Sequence, residues 1–183
     1  MRHLPNFICL IRLVLIWPIL TWLQAGQYRM ALALFIVAAA SDGLDGYLAK
    51  RFDWISELGK FLDPLADKAL LVTVFVEAAW LGLVPWWLTA AVVARDVMIG
   101  LGALIYRLWF GPLHGRPTRF SKINTAAQLF YLMLVILNAG FGGPPREVLA
   151  GTALVTLTTT VLSGLHYLQT FTRRAWTQPP RTA

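Results

Sequence analysis

Six long apolar runs, separated by short polar or Gly/Pro breaks, dominate the pattern along the chain. They fall at about Phe7–Leu23, Met30–Leu48, Phe61–Leu81, Trp86–Trp109, Ile123–Ala139 and Val148–Phe171. A helix needs about 20 apolar residues to cross the hydrocarbon core of a bilayer, and each run is near that length. The breaks are of two kinds. Gln24–Arg29, Gly82–Pro85 and Phe141–Arg146 are tight turns, whereas Ala49–Gly59 is a longer polar stretch and Gly111–Lys122 a basic loop. The pattern predicts an all-α polytopic membrane protein with six transmembrane helices. It reads as a single domain over residues 1–183, with 172–183 as a short basic tail and no internal repeat.

Composition sharpens this. Hydrophobic residues make up 57% of the chain and charged residues 14%, with a mean hydropathy of +0.61; an ordinary soluble domain carries about 25% charged residues. A soluble core of this size cannot hide so much apolar surface, so the bilayer must supply the second apolar solvent. Six spans also leave no room for a separate soluble domain. The net charge of +7 could suggest nucleic acid, but the cations sit at the ends of apolar runs, which favours anionic lipid head groups and no nucleic-acid partner. A single cysteine, Cys9, excludes an internal disulfide and a thiolate metal motif. Arg2 and His3 before an apolar run resemble a signal peptide, but no small-residue cleavage site follows, so the run reads as a retained first span.

The cations also predict orientation. One side would hold Arg2, Arg12, Lys50, Arg51, Lys60, Lys68, Arg107, Arg116, Arg119, Lys122, Arg173, Arg174 and Arg181, and the other only Arg29 and Arg146. Positive residues favour the cytoplasmic side, which predicts both termini there. Arg95 lies within the fourth run. Trp86, Trp87 and Trp109 read as interface anchors.

Six of the nine acids fall between Asp42 and Asp67, in SDGLDGYLAKRFDWISELGKFLDPLADK. Carboxylates near a membrane are costly and mostly functional. Asp42 and Asp45 are spaced i, i+3, and Asp63 and Asp67 i, i+4, so each pair shares a helix face. A helical hairpin would bring the pairs together at the cytoplasmic interface. Four bare carboxylates would repel one another, and hard divalent cations, Mg²⁺ or Mn²⁺, are their natural partners. Two such ions suit phosphoryl chemistry. Gly43, Gly46 and Gly59 would let a phosphate approach the backbone, and Lys50, Arg51 and Lys60 supply counter-charge. Asp53 and Glu57 read as solvated. Glu77, inside the third run, reads only as a buried hydrogen-bonding group.

This stretch resembles the signature of the CDP-alcohol phosphatidyltransferases, D-x-x-D-G-x-x-A-R, eight residues, then G-x-x-x-D-x-x-x-D. Asp42, Asp45, Gly46 and Ala49 match its first part and Gly59, Asp63 and Asp67 its second, with the gap over 51–58 intact. Lys50 stands where the signature has Arg, and Ser56 where many members have Thr. Asn6–Arg12 looks like the N-x-x-T-x-x-R opening of the glycerol-type members, with Cys9 in the Thr position. Arg95-Asp96 resembles a charged pair in the family's fourth span, and Ser121-Lys122-Ile123-Asn124-Thr125 a segment opening its fifth.

The resemblance implies six transmembrane helices, a homodimer, and an active site open to the cytoplasm, here the cytoplasmic membrane of a bacterium. It implies a CDP-diacylglycerol donor, with Asp42, Asp45, Asp63 and Asp67 holding two divalent ions, Mg²⁺ or Mn²⁺. Asp67 would be the general base. Asp42, Gly46, Ala49, Lys50, Ser56 and Gly59 would bind the donor, and Asn6, Arg12, Arg95, Arg119 and Lys122 are candidates for the acceptor. The opening segment points to glycerol-3-phosphate as acceptor. The S-D-x-x-D-G-Y-L-A and S-K-x-N-T-x-x-Q patterns look equally like cardiolipin synthases, which would make phosphatidylglycerol the alternative. A small ion-coupled transporter is the competing class; it predicts acids spread near the midplane over several spans.

Overall fold

A computed structural model describes residues 4–52, 59–110 and 119–177, with side-chain surroundings for 11–41, 68–105 and 120–170. Within these it is entirely helical: α1 (Leu4–Gln24), α2 (Tyr28–Phe52), α3 (Gly59–Trp80), α4 (Trp86–Phe110), α5 (Arg119–Phe141) and α6 (Arg146–Thr177). Every apolar run forms one helix. The helices overrun the runs at their polar ends. Thus α2 continues through Lys50 and Arg51, and α6 continues to Thr177, into the stretch read from sequence as a tail. Helix formation needs only backbone hydrogen bonds, so it does not stop where hydropathy does.

Three helices are long and apolar enough to cross a membrane by length and composition: Trp86–Ile105, Phe120–Phe141 and Arg146–Thr170. Ile11–Gln24 and Tyr28–Ser41 are shorter apolar segments. Large apolar side chains such as Trp17, Trp80, Leu154 and Val155 stand exposed on the outer surface. A soluble protein would not leave so many uncovered, whereas lipid accommodates them.

The turns follow from glycine. Gly26 (φ 71°) and Gly82 (φ 73°) sit in the left-handed region just past α1 and α3. After α1, the Gln27 amide donates to the Trp22 carbonyl at 2.8 Å and the Gly26 amide to Leu23 at 3.1 Å. After α3, Leu83 donates to Ala78 at 2.8 Å and Gly82 to Ala79 at 3.0 Å. Both are Schellman caps, which satisfy the last carbonyls and reverse the chain within a few residues. Pro85 and Pro145 then precede α4 and α6, and their carbonyls accept first-turn bonds from Leu88 and Val148, both at 3.1 Å.

The helices pack α1 on α2 and α3, α5 on α6 and α2, and α4 on α6, with lighter contacts of α3 on α4 and α5. Among the described residues, α2 and α3 share the neighbours α1 and α5; the facing ends where a hairpin is expected lie outside them. At the end where α1 turns into α2, the Arg29 Nε donates to the Gly140 carbonyl at 3.0 Å. The Arg29 guanidinium also stacks 4.8 Å from the centre of the Phe141 ring. A Cβ on Gly140 would lie 3.3 Å from Arg29 and Tyr28 atoms, so the glycine permits this close approach of α5 to α2.

The interior is divided lengthwise. Near the Gly26 and Gly82 turns it is mainly apolar: Ile19, Leu23, Ala31, Phe35, Leu71, Val74, Phe75, Leu88, Leu132 and Ile136 are all essentially inaccessible, and the buried Thr89 hydroxyl among them donates to the Phe75 carbonyl at 3.4 Å. Phe75 and Tyr131 stack there, with ring centres 6.2 Å apart. Towards the other end of the helices, the buried side chains become polar: Arg12, Arg95, Asn124, Gln128, Thr156, Thr160 and Ser163.

Candidate functional site

The signature aspartates are carried on two helices. Asp42 and Asp45 lie in the C-terminal half of α2, and Asp63 and Asp67 in the first half of α3. The backbone is helical at all four positions, so the i, i+3 and i, i+4 spacings do put each pair on one helix face. Their side chains lie outside the described residues, as do those of Asn6, Gly46, Ala49, Lys50, Gly59 and Arg119; Ser56 lies outside altogether. Among the described residues no group of three or more His, Cys, Asp or Glu could hold a metal. As a donor set, four carboxylates supply hard oxygen ligands of the kind Mg²⁺ and Mn²⁺ take, so the residues present fit such an ion.

Next to these carboxylates, in sequence and along the helices, lies a connected polar network. Lys68, which follows Asp67, donates from Nζ to both carboxylate oxygens of Asp96 on α4, at 2.8 and 2.9 Å. Arg95 donates to the same carboxylate from Nη1, at 2.6 Å. Its Nη2 donates to Ser121 Oγ on α5 at 3.0 Å and to Ser163 Oγ on α6. The side chains of Arg95 and Asp96 are 4% and 7% exposed and that of Lys68 is 32% exposed. Inside a membrane, charges persist only when paired in this way.

The network continues between α5 and α6. Asn124 Oδ1 accepts hydrogen bonds from Thr159 Oγ1 at 3.0 Å and Thr160 Oγ1 at 2.9 Å. Gln128 Nε2 donates to Thr160 Oγ1 at 3.5 Å. Ser121, Asn124 and Gln128 follow i, i+3, i+7 on α5, and Thr156, Thr160 and Ser163 follow i, i+4, i+7 on α6. Each set makes one stripe, and the two stripes face each other. From Ser121 to Gln128 the seam runs roughly 10 Å at the helical rise of about 1.5 Å per residue.

Four sequence-predicted residues can be placed further. Arg12 is 2% exposed in α1, a buried cation within an apolar helix. Arg95 has its two terminal nitrogens engaged by Asp96, Ser121 and Ser163, with Nε unpartnered. Lys122 is exposed at the start of α5. Glu77 differs from its reading: its Oε1 is buried, but no hydrogen-bond partner reaches it among the described residues. The seam residues Asn124 and Gln128 were visible only as part of the S-K-x-N-T-x-x-Q pattern. The Lys68–Asp96 link had no sequence signal, because its members lie 28 residues apart.

Long apolar helices, an apolar outer surface and a polar interior next to a carboxylate-bearing helix pair define a multi-helix integral membrane protein with a polar interior site. The family profile described as CDP-alcohol phosphatidyltransferase matches residues 2–164. The chain belongs to that family, whose members generally depend on a divalent metal.

Among its relatives is a probable cardiolipin synthase (CMP-forming) of Drosophila melanogaster, 31% identical over 90% of this chain and 56% of the fly protein. A probable phosphatidylglycerophosphate synthase of Mycobacterium tuberculosis is 29% identical over 91% of this chain and 80% of that protein. A CDP-diacylglycerol–glycerol-3-phosphate 3-phosphatidyltransferase of Pseudomonas fluorescens is 33% identical over 95% of this chain and 90% of that protein. The chain thus spans nearly all of the last, but only about half the length of several cardiolipin synthases it matches, such as the human one at 47%.

Proposed function

We propose that the protein is a phospholipid-synthesising enzyme that transfers a phosphatidyl group from CDP-diacylglycerol to the hydroxyl of glycerol-3-phosphate, releasing CMP. The observation that carries this is the full carboxylate signature at fixed spacing, Asp42 to Asp67, on two helices inside a family match covering residues 2–164. Bound Mg²⁺ or Mn²⁺, two ions in this reading, would supply electrostatic stabilisation of charge on the phosphoryl oxygens.

The rest is the work of the chain. Asp42, Asp45, Asp63 and Asp67 provide the ligand oxygens. Asp67 takes the proton of the acceptor hydroxyl as its oxygen forms a bond to the lipid-linked phosphorus and the bond to CMP breaks. Gly46, Ala49, Lys50, Ser56 and Gly59 line the path of the cytidine and pyrophosphate. Placing the reaction at the end of two membrane helices lets the donor's acyl chains stay in lipid while its head group meets the carboxylates. Asn6, Arg12, Arg95, Arg119 and Lys122 supply donors for the acceptor's phosphate. Six spans, both termini on the cytoplasmic side of a bacterial membrane, and a homodimer complete this reading.

Phosphatidylglycerol is the second acceptor reading, favoured by the S-K-x-N-T-x-x-Q pattern and by the relatives named cardiolipin synthase. Coverage of the glycerol-3-phosphate relative over 90% of its length favours the first. The test is purified protein with labelled CDP-diacylglycerol, Mg²⁺ or Mn²⁺ and a panel of alcohols. Metal-dependent CMP release with glycerol-3-phosphate alone supports the proposal, release only with phosphatidylglycerol moves it to the second reading, and no release with any alcohol refutes both.

A further inference from the structure

Asp96 carries no role in the reaction just described, yet it joins the charged groups of two helices. Its buried carboxylate holds Lys68 through both oxygens, at 2.8 and 2.9 Å, and Arg95 at 2.6 Å. Arg95 is in turn tied to Ser121 on α5 and Ser163 on α6. One carboxylate therefore links α3 to the other three helices of this half of the bundle, one residue past Asp67.

We infer that Asp96 is a positioning residue: acting through Lys68, it fixes the rotation of α3 and so the placement of the Asp63–Asp67 face. The inference rests on the reading of Asp67 given above. Its physical basis is the thinness of the α3–α4 contact. α3 packs mainly on α1, whereas towards α4 the packing is light. Apolar packing in lipid has no hydrophobic drive to resist a helix turning about its axis. A charge-assisted pair with a buried carboxylate does resist it, because a turn beyond the reach of the Lys68 stem would break the contact with Asp96 and leave that carboxylate with Arg95 alone.

The leverage is considerable. A helix with side chains is about 10–12 Å across, so a rotation of about 10° moves a group on its rim by roughly 1 Å. A misplacement of about that size can cost on the order of 100-fold in rate. The network also carries two cations against one anion. Its net positive charge lies beside Asp67 in the chain and offsets part of the repulsion among the four aspartates.

The experiment uses the full-length protein in lipid nanodiscs, comparing Asp96→Asn, Asp96→Glu, Lys68→Met, the Lys68→Met/Asp96→Asn pair and Asp67→Asn. Thermal melting and gel filtration establish the folded fraction. Turnover per folded molecule, KM for CDP-diacylglycerol and the Mn²⁺ concentration giving half-maximal rate are then measured. Asp96→Asn and Lys68→Met should each lower kcat at least about 10-fold, and raise the half-activating Mn²⁺ concentration, with KM little changed. The double variant should be no worse than the worse single one, and Asp96→Glu should recover most of the rate. If Asp96→Asn fails to fold, Lys68→Met carries the test, since it leaves the Asp96–Arg95 pair intact.

Wild-type kcat and Mn²⁺ dependence in the folded single variants overturn the inference, as do multiplicative losses in the double. An active Asp67→Asn refutes the assignment of the base and this inference with it. An inactive Asp67→Asn beside an unimpaired Asp96→Asn refutes this inference alone.

Discussion

Replacing Asn124 with Leu would remove the centre of the α5–α6 seam while keeping the same branched heavy-atom skeleton. Asn124 is fully buried and its Oδ1 accepts from Thr159 at 3.0 Å and Thr160 at 2.9 Å. Side-chain hydrogen bonds between membrane helices contribute about 0.6 kcal/mol on average and up to about 1.7 kcal/mol each. Two bonds set a central loss of about 1.2 kcal/mol and a ceiling near 3.4 kcal/mol. Two features pull towards the lower figure. Thr159 also donates to the Thr156 carbonyl at 3.0 Å and keeps that bond, and the buried Asn124 Nδ2, which lacks a partner, is removed. The expected loss is therefore about 1–2 kcal/mol, measured as a shift in SDS-driven unfolding in mixed lipid–detergent micelles. Ala126→Leu, on the exposed face of the same helix, is the control and should leave the midpoint unchanged. A Thr160→Val partner should lose little more in the Asn124→Leu background than that background has already lost. Equal or higher stability for Asn124→Leu would show that the seam does not hold α5 to α6.

Three further outcomes follow from the helix ends and the carboxylates. Gly82→Val places a β-branched residue at φ 73° and should cost about 1–2 kcal/mol in the same unfolding assay; an unchanged midpoint would refute the cap geometry. Asp67→Asn should abolish CMP release while leaving the melting profile near wild type, and near-normal product formation would refute its role as base. Chelation with EDTA should stop CMP release and added Mn²⁺ should restore it; turnover that survives thorough chelation would count against the carboxylate site as a metal site.

Much of the fold could be read from the chain because each helix is written as an unbroken apolar run. Hydropathy marks where lipid surrounds a segment, so the runs locate all six helices, and Gly26 and Gly82 mark where two of them end. The helix ends were less legible, since α2 and α6 continue through Lys50, Arg51 and Arg173, past the apolar runs. The carboxylates were legible as residues and as helix faces. What held their helices was not: the hairpin the sequence suggests falls on residues 42–67, whose side chains lie outside the described residues, and among those described α2 and α3 share the neighbours α1 and α5. The polar interior was hardest to see. Thr156, Thr160 and Ser163 are neutral in a hydropathy count, and their partners lie on another helix, 32 residues away for Gln128 and Thr160. Lys68 counted only as a positive charge near a span end, although its ammonium is committed to Asp96.

The lengthwise division of the interior sets the traffic of the molecule. Among the described residues, Phe75, Leu71, Leu88, Leu132 and Ile136 form an apolar layer at the end marked by the glycine turns, interrupted by the buried Thr89 hydroxyl and Glu77 Oε1. In the proposed reading the carboxylates lie towards the opposite end from this layer, so reactants would come to them from, and products return to, the same end of the bundle.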